Sequence, residues 1–176
     1  MHRAKLPLAA IVAVAISGCA TTYEDPASEV GSATISDRSG NSVGTAMLYA
    51  QDGEVTVSVS LNGLSQGTHA VHLHTSGDCS AADFTSAGGH LNPMDNEHGT
   101  MNPQGAHLGD LPNVAVSTAG IGSSSTILRG SSATVISQIF DADGTALVVH
   151  EGADDYMTDP AGAAGSRVAC GVFSRS

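Results

Sequence analysis

Residues 55–61, read VTVSVSL, alternate apolar and small polar side chains without interruption. A period of two puts Val55, Val57, Val59 and Leu61 on one face and Thr56, Ser58 and Ser60 on the other, which is the pattern of a half-buried antiparallel strand. The neighbouring segments 31–37 (GSATISD) and 44–50 (GTAMLYA) share this character, with RSGNS and QDGE as turns between the three. Further strands are expected at 68–75, 113–118, 124–128, 133–139, 146–150 and 166–173. No long stretch repeats at helical spacing. With 21 glycines, no tryptophan and only 3% aromatic residues, eight or nine short strands point to a β-sandwich or a flattened barrel.

Two segments break this rhythm. Residues 76–111 and 151–165 have no strand pattern, and a structureless connection of about 35 residues is uncommon in a compact domain unless it is functional or pinned. The first contains Cys79, His90, His98, His107 and Asp110.

Seven of the eight histidines lie beyond the first few residues, and six of those seven fall within residues 68–107. His72 and His74 are two apart, so a strand aims both at one face. Imidazole ligates zinc and copper well. His90, His98, His107 and Asp110 would make a closed set of three nitrogens and one oxygen, the structural zinc type. His150, ending the run ALVVH, could join His72 and His74 at a second ion. Two metals, one metal, or dispersed surface histidines all fit the residues alone.

Residues 1–18 have the layout of an export leader: Arg3 and Lys5, an apolar run over 6–16, then small residues. That run is shorter than the roughly 20 residues a spanning helix needs. ISGC at 16–19 resembles the lipobox of bacterial lipoproteins, whose cysteine carries lipid; an ordinary leader is the alternative. The expected layout is a leader over 1–18, a lipidated Cys19 with a polar tether over 19–29, and one domain over 30–176. Ala20 after the cysteine leans towards the outer membrane, so the expected location is the periplasmic cell envelope. With Cys19 so used, Cys79 and Cys170 remain, and an exported chain reads as joining them in a disulfide, with two separate thiols as the alternative. The formal charge of −11 argues against a nucleic-acid partner.

Taken together and in order, HAVHLHTSGDC, SAGGHLNP, EHG, HLGDLPNV, VVHEGADDY and GSRVACGV resemble the Cu/Zn superoxide dismutase family, over most of residues 30–173. The resemblance implies an all-β antiparallel Greek-key sandwich or flattened eight-stranded barrel with two long functional loops. It implies one copper per chain on His72, His74, His90 and His150, and one zinc on His90, His98, His107 and Asp110, with the His90 ring bridging both ions. It makes Asp154 the carboxylate linking a copper histidine to a zinc histidine, and Arg167 the group that attracts superoxide. His69 would be a buried, hydrogen-bonded histidine outside the ligand sets. Turnover would pass an electron from one superoxide to another through copper, with a proton carried on His90.

The stretch between Asp154 and Arg167 is shorter than in the eukaryotic branch of that family and has no lysine. It looks more like the bacterial branch, where dimer contacts differ, so monomer and homodimer both stay open. A non-catalytic metal carrier on the same scaffold is the main rival, although the positions of all seven ligands and of the arginine are filled.

Overall fold

A computed structural model describes residues 26–176. The leader, Cys19 and most of the tether therefore lie outside the described residues. The three leading strands form a meander of β1 (Ser28–Asp37), β2 (Ser42–Gln51) and β3 (Glu54–Asn62). In the first turn the Asp37 carboxylate accepts the amides of Ser39 and Asn41. In the second, Asp52 and Gly53 take φ of 51° and 82°, the left-handed pair that a tight hairpin favours. The alternation in β3 holds: Val55, Val57, Val59 and Leu61 are at most 1% exposed.

The later elements are β4 (Gly67–His69), β5 (Val71–His74), β6 (Val114–Val116), β7 (Ile121–Leu128), α1 (Ser132–Ile139), β8 (Ala146–His150), β9 (Arg167–Val172) and the short β10 (Ser174–Arg175). The main sheet runs β5-β8-β9-β1-β2-β3-β7, with β10 beside β1, and β4 pairs with β6. Sequence neighbours are separated in space in the Greek-key manner, since β3 lies against β7 and β1 against β9. Ladder pairing between β9 and β1 is limited to Ser36↔Cys170 and Asp37↔Ala169. The sheet turns a corner there and curls over a single core that takes Ile35, Leu48 and Val57 from one half and Leu73, Leu147 and Val149 from the other. This is the expected flattened antiparallel barrel, with its two long connections at 75–113 and 151–166.

Two expected strands differ. Residues 133–139 are helical. Ser131 caps the first turn by accepting the Thr134 amide, and Val135 and Ile139, four apart, are the buried pair. Their β-branched composition suggested a strand, but the cap and the burial of one face outweigh that propensity. Residues 68–75 are not one strand: Ala70 separates β4 from β5, its amide bonding Gly152 O and its carbonyl accepting the His150 amide. His69 therefore belongs to a different sheet from His72 and His74.

Candidate metal centre

In β5, Val71 and Leu73 enter the core, so His72 and His74 point to the opposite face. In β8, Leu147 and Val149 do the same, leaving Ala146, Val148 and His150 on the histidine side. Every residue of both strands is buried, so this outer face needs a cover, and the 75–113 connection provides it. Phe84 and Ala87 pack on Ala146, Val148 and Cys170. The disulfide Cys79–Cys170, with Cα atoms 5.9 Å apart, fastens the cover to β9.

The same connection is stitched to the free edge of β5. Leu73 N donates to Gly109 O at 2.9 Å, Leu91 N to Leu73 O at 2.8 Å and Thr75 N to Gly89 O at 3.0 Å. A Cβ at Gly109 would lie 2.3 Å from Leu73 O, so only glycine allows this approach. The stitching sets Asp110 opposite His72 and His90 opposite His74. A loop without strand periodicity is thus ordered by borrowing hydrogen bonds from a strand edge.

The histidine nitrogens can be followed one by one. Among the described residues, five buried side-chain polar atoms have no hydrogen-bond partner. Four of them are His72 Nδ1 and the Nε2 atoms of His74, His90 and His150. These residues form one group whose ligand atoms all lie within 4.8 Å of one another. The second nitrogen of each ring is engaged: His72 Nε2 with Asp154 Oδ2 at 2.8 Å, His74 Nδ1 with Gly88 O at 2.9 Å, and His150 Nδ1 with Gly165 O at 3.2 Å. Buried polar groups are seldom left unpaired, and four unpaired nitrogens turned towards a common point are a donor set for a metal ion.

His90 Nδ1 faces the other way, into a second group with His98, His107 and Asp110. Asp110 Oδ1 stands 2.9, 3.0 and 3.1 Å from the Nδ1 atoms of His90, His98 and His107, and the His107 and His90 nitrogens are 3.3 Å apart. A tetrahedron with spokes of about 2.0 Å has edges of about 3.3 Å, so these separations suit zinc. Asp110 Oδ2 is occupied by the amides of Gly99 and His107, which leaves Oδ1 for the ion.

Asp154 lies between the two groups. Its Oδ2 meets His72 Nε2 and its Oδ1 meets His98 Nε2 at 3.0 Å, while the Tyr156 amide donates to Oδ1 at 2.6 Å. A Cβ at Gly162 would fall 1.8 Å from that Oδ1, so the second connection can close over the carboxylate only with glycine there. Such partners fix ring orientation and tautomer.

The ionisation states suit ligation. Burial pushes the imidazole of His72 down to about 4, of His74 to about 2 and of His150 to about 4, and lowers His90 as well. Burial raises the Asp110 and Asp154 carboxyls, but their hydrogen bonds outweigh it. His90 and the Gly99 amide hold Asp110 well below the usual range, and His72 and His98 hold Asp154 at about 2. At neutral pH these imidazoles are uncharged and these carboxyls are ionised, the forms that bind metal.

Arg167 reaches the site through a backbone irregularity. Val148 pairs with Cys170 and Val149 with Ala169, but His150 pairs with Arg167. The extra residue, Val168, is a bulge that turns Arg167 to the histidine face, where strict alternation would have aimed it at the core. Its guanidinium donates to Phe84 O and Gly88 O at 2.6 and 2.7 Å. With His74, His90 and His150 it lines a cleft of about 400 Å³.

The seven candidate ligands therefore fall in the two groups, Asp154 touches both, Arg167 shares a cleft with the first, and Cys79 pairs with Cys170 as expected. His69 stands outside the groups: it is 3% exposed, with Nδ1 2.8 Å from His150 O and Nε2 2.9 Å from Ser65 O. Two contributors were not foreseen. Asn113 holds Asp154 by a double bond, its Oδ1 accepting the Asp154 amide and its Nδ2 donating to the Asp154 carbonyl, both at 2.9 Å. Asp159 Oδ1 accepts the His98 amide. These partners are 41 and 61 residues apart in sequence, and no local pattern marks them.

Residues 42–173 match the family profile described as copper/zinc superoxide dismutase (SODC). A superoxide dismutase [Cu-Zn] of Aquifex aeolicus is 38% identical over 147 residues, covering 80% of this chain and 85% of that protein. One from Caulobacter vibrioides is 42% identical over 125 residues, covering 68% and 71%. The crystal structure of a SOD-like protein from Bacillus subtilis superposes with a TM-score of 0.73 at 35% identity, over 82% of this chain and 99% of that one. Fold, paired ligand groups and likeness agree: the chain belongs to the copper/zinc superoxide dismutase family of oxidoreductases, which act on superoxide and use copper and zinc.

Proposed function

We propose that His72, His74, His90 and His150 hold copper, that His90, His98, His107 and Asp110 hold zinc, and that the His90 ring serves both ions. The observation that carries this reading is His90 itself. Its Nε2 is one of four unpaired nitrogens in the first group, and its Nδ1 is one corner of the second. Bound copper supplies one-electron exchange between two superoxide ions, giving oxygen and hydrogen peroxide, while bound zinc, without redox chemistry, supplies fixed charge.

The chain's own groups do the rest. Arg167, held by two carbonyls at the cleft, offers a local positive charge to an anion in a protein of charge −11. His90 Nε2, whenever it is free of copper, would hold one of the two protons that peroxide requires, and solvent in the cleft would supply the other. Asp154 keeps His72 and His98 in register, so the two ligand groups hold their geometry as that proton comes and goes.

One copper and one zinc per chain, with superoxide-dependent turnover that exceeds free copper under chelation, is the expected outcome of metal analysis and assay on the purified protein. The family is itself an established example of electrostatic steering. Within that general range, Arg167→Ala is expected to lower the rate about tenfold with metal content unchanged. Metal loss in that variant would make the arginine structural, and a metal-loaded protein without turnover would leave a carrier.

We also propose that the protein is exported and lipidated on Cys19, and that it protects the envelope, at the outer membrane, from superoxide arising outside the cytoplasm. No helix among the described residues is long and apolar enough to cross a membrane; the reading of a lipid anchor rests on the ISGC motif at 16–19. Cys19→Ala is expected to move the protein from the membrane to the soluble fraction on cell fractionation; unchanged membrane association would refute the anchor.

A further inference from the structure

The described residues contain four arginines and no lysine. Three of the four have evident tasks. Arg167 faces the cleft, Arg38 donates to Arg167 O at 2.6 Å, and Arg175 lies 4.8 Å over the Phe140 ring. The fourth, Arg129, follows the last residue of β7 and precedes Gly130. It reaches across to the 75–113 connection, where its Nη2 donates to the carbonyl of His107.

We propose that Arg129 is a positioning residue for His107 and hence for the zinc-side group, an inference that rests on the ligand assignment above. The His107 carbonyl has one other backbone donor, the Asp110 amide, at a long 3.4 Å. The arginine is therefore its main tie. The side chain forms a wall of two hollows, one shared with Leu111, Pro112 and Tyr156, the other with Met94 and Ala106, and Leu108 borders both. Arg129 thus runs between barrel wall and ligand loop like a strut.

Two opposite effects are open to such a group, and their signs differ. A cation near a dication weakens metal binding. A donor that fixes a ligand strengthens it, typically about 10–100-fold. The guanidinium meets the His107 carbonyl and not its ring, so it orients the backbone from which the imidazole projects. The second effect governs.

The test uses the metal-free protein reloaded with zinc in competition with a chelator, and separately with cobalt(II), whose visible spectrum reports ligand geometry. Arg129→Met keeps the stem but removes both donor and charge. It is expected to hold zinc about 10–100-fold more weakly, to give an altered cobalt spectrum, and to keep copper affinity at the other group once zinc is saturating. Arg129→Lys, retaining charge and a donor, is expected to recover part of the loss. Zinc binding that is equal or tighter in Arg129→Met, with the wild-type cobalt spectrum, overturns the inference, as does a lowered melting temperature with zinc affinity intact. Wild-type protein that takes up no zinc would overturn the ligand assignment and this inference with it.

Discussion

His90→Ala is expected to abolish most superoxide turnover and to release zinc from the chain. The ring contributes to both groups at once: Nε2 among the unpaired nitrogens, Nδ1 2.9 Å from Asp110 Oδ1. Its removal leaves three nitrogens in the first group and His98, His107 and Asp110 in the second, an incomplete tetrahedron. It also removes the nitrogen proposed to hold a proton at the cleft, and loss of a positioned proton donor commonly costs about 10²–10⁴ in rate. Metal analysis together with direct measurement of superoxide decay distinguishes the two losses. A His90→Ala protein with one copper, one zinc and the wild-type rate would contradict the shared ring.

The second large effect concerns stability. Cys79 and Cys170 are 91 residues apart in sequence, and closing a loop of that length restricts the unfolded chain by about 4–5 kcal/mol on the chain-entropy account. The double variant Cys79→Ala/Cys170→Ala is expected to unfold at a correspondingly lower denaturant concentration. Turnover should fall too, for a geometric reason. Arg167 rests on the carbonyls of Phe84 and Gly88, both in the connection that the disulfide fastens to β9, three residues beyond the arginine. With the fastening gone the guanidinium loses its seat while the ligands remain. An unfolding midpoint and a rate both equal to wild type would show that the packing of Phe84 and Ala87 suffices alone.

The strands of the meander could be read from the chain because their burial is one-sided: each of Val55, Val57, Val59 and Leu61 meets the core on the same face, and alternation records that directly. The grouping of the seven candidate ligands could be read because these scarce, chemically distinctive side chains kept spacings that a family shares. Other features were hidden where structure depends on partners far along the chain. The helix at 132–139 was obscured by Val135 and Ile136, whose β-branching favours strands. The break at Ala70 depends on Gly152 and His150, about 80 residues away. The bulge at Val168 re-aims Arg167, and no residue type announces it. Asn113 and Arg129 act through backbone carbonyls and amides, which carry no sequence signature.

Asp154 grips His72 with one oxygen and His98 with the other, and so makes loading a conversation between two ions. Whatever factor zinc lends to copper affinity by steadying that carboxylate, copper must return to zinc, since linkage between binding sites is reciprocal. On the ligand assignment proposed above, a protein starved of one metal is expected to hold the other less tightly, which titration with one metal in the presence and absence of the other would measure.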